Sequence, residues 1–252
     1  MALLQADKSE FGTQSYQLFT SAQERAPWSA RELIGSGKTT LDEAGLERAW
    51  FSASIGYYTE QAGLVAAAEL AGQTEDAMLR LGLASAVADE ARHADAFLTY
   101  AVARGGEIAD CADEPYLGDL HGTLSSASYL QKCLLHTMLE GFAADEFILL
   151  QRIFAGDPLG AIIRHVRADE IRHVAIGLDY LRRSYANPRH RPEWDAHGEQ
   201  WQQKAVELTN LPASAPALGA LVGRDPEELE RWFMRRHRAR LRGIGIPTAG
   251  GR

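Results

Sequence analysis

The chain has 252 residues, 46% of them hydrophobic and 24% charged, a balance that suits one large globular domain with a full core. Its formal net charge of −8 argues against general nucleic-acid binding, which calls for a basic surface. Two cysteines, Cys111 and Cys133, form neither a CxxC pair nor a disulfide framework, and no apolar run approaches the ~18 residues that cross a bilayer. The first twenty residues show no basic stretch followed by an apolar one, so no signal peptide and a cytoplasmic location are expected.

Residues 1–40 read as a lead-in with one or two short helices, such as Trp28 to Ile34 after Pro27. The run Gly35-Ser36-Gly37-Lys38-Thr39 has the look of a phosphate loop's end. Glu32 stands where that motif's first Gly belongs and no strand precedes it, so a loop before a helix is the expectation. A helical pattern then runs from Leu41 to Gly72, where Gly72-Gln73-Thr74 breaks it. A second helix extends to about Arg104, stopped by Gly105-Gly106. Residues 107–125, with Pro115 and several Gly and Asp, read as a long connection. A third helix follows from about Ser126 to Phe154. Asp157 as N-cap and Pro158 at the first helical position open a fourth, which Asn187-Pro188 closes.

Short, long, short connections are the order of a four-helix bundle with one long crossover. The expected fold is therefore all-α, a ferritin-like core bundle over about residues 41–186 with N- and C-terminal helical extensions, all in a single domain, 1–252. The C-terminal extension covers about residues 193–243. Its clearest start is Asp225-Pro226-Glu227-Glu228, with cap, Pro and Glu in the favoured positions. The helix opened there ends basic, with Arg231, Arg235, Arg236, Arg238, Arg240 and Arg242.

Six pairs of identical residues recur at one offset of 80: Glu60/Glu140, Asp89/Asp169, Glu90/Glu170, Arg92/Arg172, His93/His173 and Tyr100/Tyr180. Each half holds a lone Glu, then Asp-Glu-x-Arg-His with its Glu thirty residues further on. Glu90/His93 and Glu170/His173 are Glu-x-x-His pairs, which place both side chains on one helical face. Two lone Glu and two such pairs, one element per helix, form the ligand pattern of di-iron bundles. Four carboxylates and two imidazoles suit iron or manganese better than zinc. The candidate ligands Glu60, Glu90, His93, Glu140, Glu170 and His173 also sit within apolar stripes, such as Leu79, Leu83, Ala86, Phe97 and Tyr100 on the second helix. At ~1.5 Å per residue, a thirty-residue spacing brings both members of each half to one depth. Glu69 and Glu146 compete for the lone-Glu roles; only Glu60 and Glu140 keep that spacing.

DEARH at 89–93 and DEIRH at 169–173 resemble the motifs of the ferritin-like non-haem di-iron oxygenases, over residues 45–185. The group includes multicomponent hydroxylases, acyl carrier protein desaturases and aryl-amine N-oxygenases. The resemblance implies that Asp89 and Asp169 hold the histidines across the site and that Arg92 and Arg172 neutralise those aspartates. It also implies two iron ions, Fe/Fe with Mn/Fe open, and O₂ as co-substrate. An external electron donor, either reductase or ferredoxin, and a homodimer complete the expectation. The chain departs from relatives at Phe97, where the ribonucleotide reductase small subunit usually has its radical Tyr, and at Ala144, where hydroxylases often have Thr. His136, one turn before Glu140, points toward the metals. N-oxygenases take an extra His ligand from the fourth helix instead, where this chain has Val166.

The expected function is oxygen insertion into a small organic substrate, by hydroxylation or N-oxygenation. Desaturation, aldehyde deformylation and tRNA hydroxylation use the same ligand set and stay open, as does iron oxidation and storage. Membrane partners are not expected, and the basic tail is the sole feature that favours nucleic acid.

Overall fold

The computed structural model describes residues 13–24, 28–111 and 115–248. Ten helices and no strands are found among them: α1 Gln14–Gln23, α2 Ala30–Ser36, α3 Glu43–Gln73, α4 Ala77–Gly105, α5 Pro115–Ser126, α6 Tyr129–Ile153, α7 Pro158–Ala186, α8 Arg191–Glu207, α9 Leu211–Val222 and α10 Pro226–Gly243. The four long helices α3, α4, α6 and α7 make the bundle. α3 packs chiefly on α4 and α6 on α7, and the two hairpins join through α4 with α7 and α3 with α6. This is the all-α, ferritin-like arrangement that the connection lengths predicted.

Capping sets the helix starts. Asp42, Asp76, Ser128 and Asp157 each accept a backbone N–H of the first turn with their side-chain oxygen, at the heads of α3, α4, α6 and α7. Pro158 follows Asp157 as expected, and α4 ends on Gly106 in the left-handed region, φ 77°. In the lead-in, α2 begins two residues later than predicted, with Ser29 at its cap and Trp28 just ahead of it. Pro27, the first twelve residues and the terminal Arg252 lie outside the described residues.

The crossover differs from the sequence expectation. Residues 107–125 contain a helix, α5, because Leu117, Leu120 and Leu124 fall at helical spacing and are buried on the core. The tail packs inward as well. Trp194, Trp201 and Leu208 of α8 and its end, with Leu241 of α10, share a core cluster with Leu134, Leu135 and Met138 of α6. Its basic helix is held partly by charge, since Arg236 Nε and Arg240 NH2 donate to the buried Asp145 Oδ1 at 2.6 and 2.7 Å. Among the described residues, no helix is long and apolar enough to cross a membrane.

Candidate metal centre

Burial singles out the carboxylates before any chemistry is assumed. Glu60, Glu90, Glu140 and Glu170 are all buried, and His93 and His173 are 0% and 4% exposed. α3 supplies Glu60, α4 Glu90 and His93, α6 Glu140, and α7 Glu170 and His173, one element per helix. Charges so placed are costly unless something neutralises them. Gly63, almost one turn after Glu60, leaves the space they need: a Cβ there would lie 3.0 Å from Glu90 Oε2.

The six groups converge as two overlapping sets. Ligand atoms of Glu60, Glu90, His93 and Glu170 lie within 4.8 Å of one another, and so do those of Glu90, Glu140, Glu170 and His173. Glu90 and Glu170 belong to both sets and stand between them. His93 Nδ1 is 3.1 Å from Glu170 Oε1 and 3.5 Å from Glu60 Oε2. His173 Nδ1 is 3.0 Å from Glu90 Oε1 and 3.9 Å from Glu140 Oε2. Yet neither Nδ1 makes a hydrogen bond, and Glu90 Oε1 and Glu170 Oε2 make none either. Buried polar atoms aimed at common points without partners are what bound cations would satisfy. The donor set fits a pair of iron or manganese ions.

The outer ring nitrogens are held from behind. His93 Nε2 lies 3.4 Å from Asp169 Oδ2, and His173 Nε2 lies 3.2 Å from Asp89 Oδ2, so each aspartate serves the histidine of the other half. An Nε2–H donated to Asp leaves the Nδ1 lone pair facing inward. Arg92 NH2 donates to Asp89 Oδ1 at 2.5 Å and to Asp169 Oδ2 at 2.8 Å. Arg172 NH1 donates to Asp169 Oδ1 at 2.8 Å, and its NH2 to Asp89 Oδ2. Two arginines thus close a ring with two aspartates.

Proton affinities follow from this crowding. Burial, joined by repulsion from Glu90, raises Glu60 well above its ordinary value; burial and the charges of Glu170 and Glu90 do the same to Glu140. Glu90 goes the other way, because contact with His173 and His93 overcomes its burial. Glu170 is brought to about 2 against burial and the Glu90 charge, by contact with Glu140 and both histidines. Burial opposes a charge on either imidazole, but the carboxylates around His93 and His173 hold both well above their ordinary value. Protons and cations would thus compete for the same atoms.

Of the remaining sequence candidates, His136 is buried with Nε2 3.2 Å from Glu140 Oε1, adjacent to the cluster but part of neither set. Burial lowers its proton affinity. Glu69 is not at the site: it pairs with Lys132, whose side chain is 2% exposed. Tyr100 donates its hydroxyl to Asp157 Oδ1 at 2.6 Å, a packed core residue as its distance from the motif predicted.

One feature escaped the sequence reading. Trp28 reaches in from the lead-in, with its indole N–H 3.5 Å from Asp169 Oδ2 and its ring stacked on His165 at 5.2 Å between centroids. A contact across 141 residues leaves no periodic trace. The dry pocket expected from apolar residues one turn from the ligands is a cavity of about 490 Å³ that opens onto the ligand carboxylates, with Phe97 and Phe147 in its wall and Leu64 outside it. Phe97, Leu139, Ala143, Phe147, Leu150 and Ile163 give it mostly apolar walls, and Glu146 lines it too.

No protein-family model and no curated protein matches the sequence. Solved structures do match. One is an R2-like ligand-binding oxidase variant with an aerobically reconstituted Mn/Fe cofactor, 16% identical, TM-score 0.67, covering 94% of this chain and 95% of that one. A second variant with an aerobically reconstituted Fe/Fe cofactor is 16% identical at TM-score 0.64, covering 97% and 99%. A third, with an anaerobically reconstituted Mn/Fe cofactor, is 17% identical at TM-score 0.65, covering 93% and 94%. The chain has the ferritin-like fold of the R2-like ligand-binding oxidases along nearly its whole length.

Proposed function

We propose that the chain is a non-haem di-metal oxygenase, using O₂ to oxidise a small organic molecule. One observation carries this reading: the partnerless carboxylate and imidazole atoms lie where four buried glutamates form one wall of a largely apolar cavity. Iron storage needs no such cavity, and an oxidised organic substrate does.

In this proposal Glu60, Glu90, His93 and Glu170 hold one ion, and Glu90, Glu140, Glu170 and His173 the other. The pair is Fe/Fe or Mn/Fe, the two cofactors carried by the R2-like ligand-binding oxidases of this fold. When bound, it supplies the O₂-reducing chemistry that no side chain here can perform. The chain's own residues do the rest. Asp89 and Asp169 fix the histidine tautomers, and Arg92 and Arg172 keep those aspartates ionised. Phe97, Phe147 and Ile163 exclude water and hold the substrate against the carboxylate wall. Electrons arrive from an external reductase or ferredoxin, and the working assembly is a homodimer.

Anaerobic reconstitution with ferrous iron, followed by O₂ and candidate substrates, tests the reading. A small oligomer with about two irons per chain that couples O₂ uptake to an organic product supports it. A hollow cage that accumulates iron without limit overturns it.

A further inference from the structure

The side of α6 that faces the cavity is a helical stripe of Leu139, Ala143, Phe147 and Leu150 with two acids in it, Glu140 at the ligand cluster and, farther along, Glu146. Glu146 is half-buried and no hydrogen bond or ion pair joins it to the described residues. Burial alone pushes its carboxyl up, with no neighbouring charge acting on it. The other acids on the cavity wall, Glu60, Glu90, Glu140 and Glu170, are the proposed metal ligands. Among the described residues no lysine or arginine lines the cavity, and His136 is the one basic group there.

We infer that the cavity receives a largely apolar molecule bearing a basic amine, with the amine at Glu146, about 9 Å along α6 from Glu140 at 1.5 Å per residue. This rests on the di-metal reading of the same site, which fixes the end where the substrate is oxidised. The alternatives gain less from Glu146. A neutral molecule without a donor leaves that carboxyl to take up a proton, the direction in which burial already pushes it, and draws no binding from it. A carboxylate head at that end would set a second negative charge beside Glu146, where no lysine or arginine of the described residues lines the wall. An ammonium group makes a charge-assisted hydrogen bond there instead. Its apolar stem then fills the stripe of Ala143 and Phe147 toward the carboxylate cluster. The substrate class is thus an amine whose oxidised atom lies several bonds from the nitrogen, in contrast to attack on the nitrogen itself.

The test uses three probes of one length, octylamine, octanol and octanoate, titrated calorimetrically into protein loaded with ferrous iron under nitrogen. Octylamine should bind roughly tenfold more tightly than the other two, and Glu146→Gln should lower it to the octanol level, leaving octanol binding and the melting temperature unchanged. No octylamine binding, octanoate binding as tightly as octylamine, or an amine preference that survives Glu146→Gln each overturns the inference. Iron content of the same samples reports separately on the di-metal proposal. A chain that takes up no metal pair but keeps a Glu146-dependent preference overturns that proposal and supports this one. A fully loaded chain without the preference overturns this one alone.

Discussion

The indole N–H of Trp28 points at the carboxylate of Asp169 from 3.5 Å, which ties the N-terminal lead-in to the residue behind His93. The same ring lies 5.2 Å beneath the Arg92 guanidinium. Trp28 therefore touches two of the four members of the Asp–Arg ring that orients the histidines. Trp28→Phe keeps the ring and loses the N–H, and is expected to weaken iron affinity by about threefold, less than one net hydrogen bond. Trp28→Ala should cost more, because it also uncovers Arg92 and His165. Equal iron titration curves for all three proteins would show the lead-in to be mere cover.

Glu60→Ala and Glu69→Ala separate ligand from ion pair. The first should abolish stoichiometric loading of the iron pair, since Glu60 faces His93 Nδ1 at 3.5 Å. The second should leave the iron content at about two per chain but lower stability by about 2 kcal/mol. That loss reflects a Lys132 left buried and alone, reduced because Glu69 is partly solvated. Iron analysis and melting curves read both, and a reversed order would put helix α3 in another register.

Asp169→Asn should preserve the fold and weaken iron binding or turnover by about 10–100-fold, the usual effect of a residue that orients a metal-bound histidine. Asp89→Asn should match it through His173. A variant with full metal affinity and full activity would reduce these aspartates to charge partners of the arginines.

Metal-free protein should be most stable in mild acid. His93 and His173 titrate well above 6.5 and Glu60 and Glu140 well above 4.5, so the folded chain binds more protons than the unfolded one through neutrality. The histidine contribution is complete below 6.5 and is lost as pH rises through the higher folded values. Glu90 and Glu170 act oppositely, stabilising above 4.5, with the Glu170 share lost as pH falls toward about 2. Melting temperature in chelator should therefore decline from about pH 6 to about pH 9, whereas ferrous-loaded protein, its protons already displaced, should not. Parallel curves would contradict the idea that protons and cations compete for the site.

The bundle and its ligands were legible because both obey short rules. Capping residues such as Asp157 and stripes such as Leu79 to Tyr100 are local, and Glu-x-x-His repeats the pitch of one helix. Helix α5 was hidden because Pro115, Gly118 and Gly122 read as turn residues, although Leu117, Leu120 and Leu124 carry the helical period. Helix α9 falls within the expected C-terminal helical extension although Pro216 lies inside it. The choice among Glu60, Glu69 and Glu146 rested on a spacing argument. What separates them physically is three-dimensional: a buried lysine beside Glu69, a cavity beside Glu146, and a histidine beside Glu60. In the basic tail, the sole feature that favoured nucleic acid, two of the arginines are instead placed by the buried Asp145.

Asp89 backs His173 while Asp169 backs His93, and this exchange has a consequence for assembly. Neither helical hairpin owns a complete site, since α3–α4 brings a histidine whose support lies on α7, and α6–α7 the reverse. Closing the bundle and readying the imidazoles are one event. A lesion in one hairpin should therefore declare itself at the ion nearer the other, so that Asp89→Asn perturbs the position by His173 first. Two spectroscopically distinct ions would make that crossed inheritance visible.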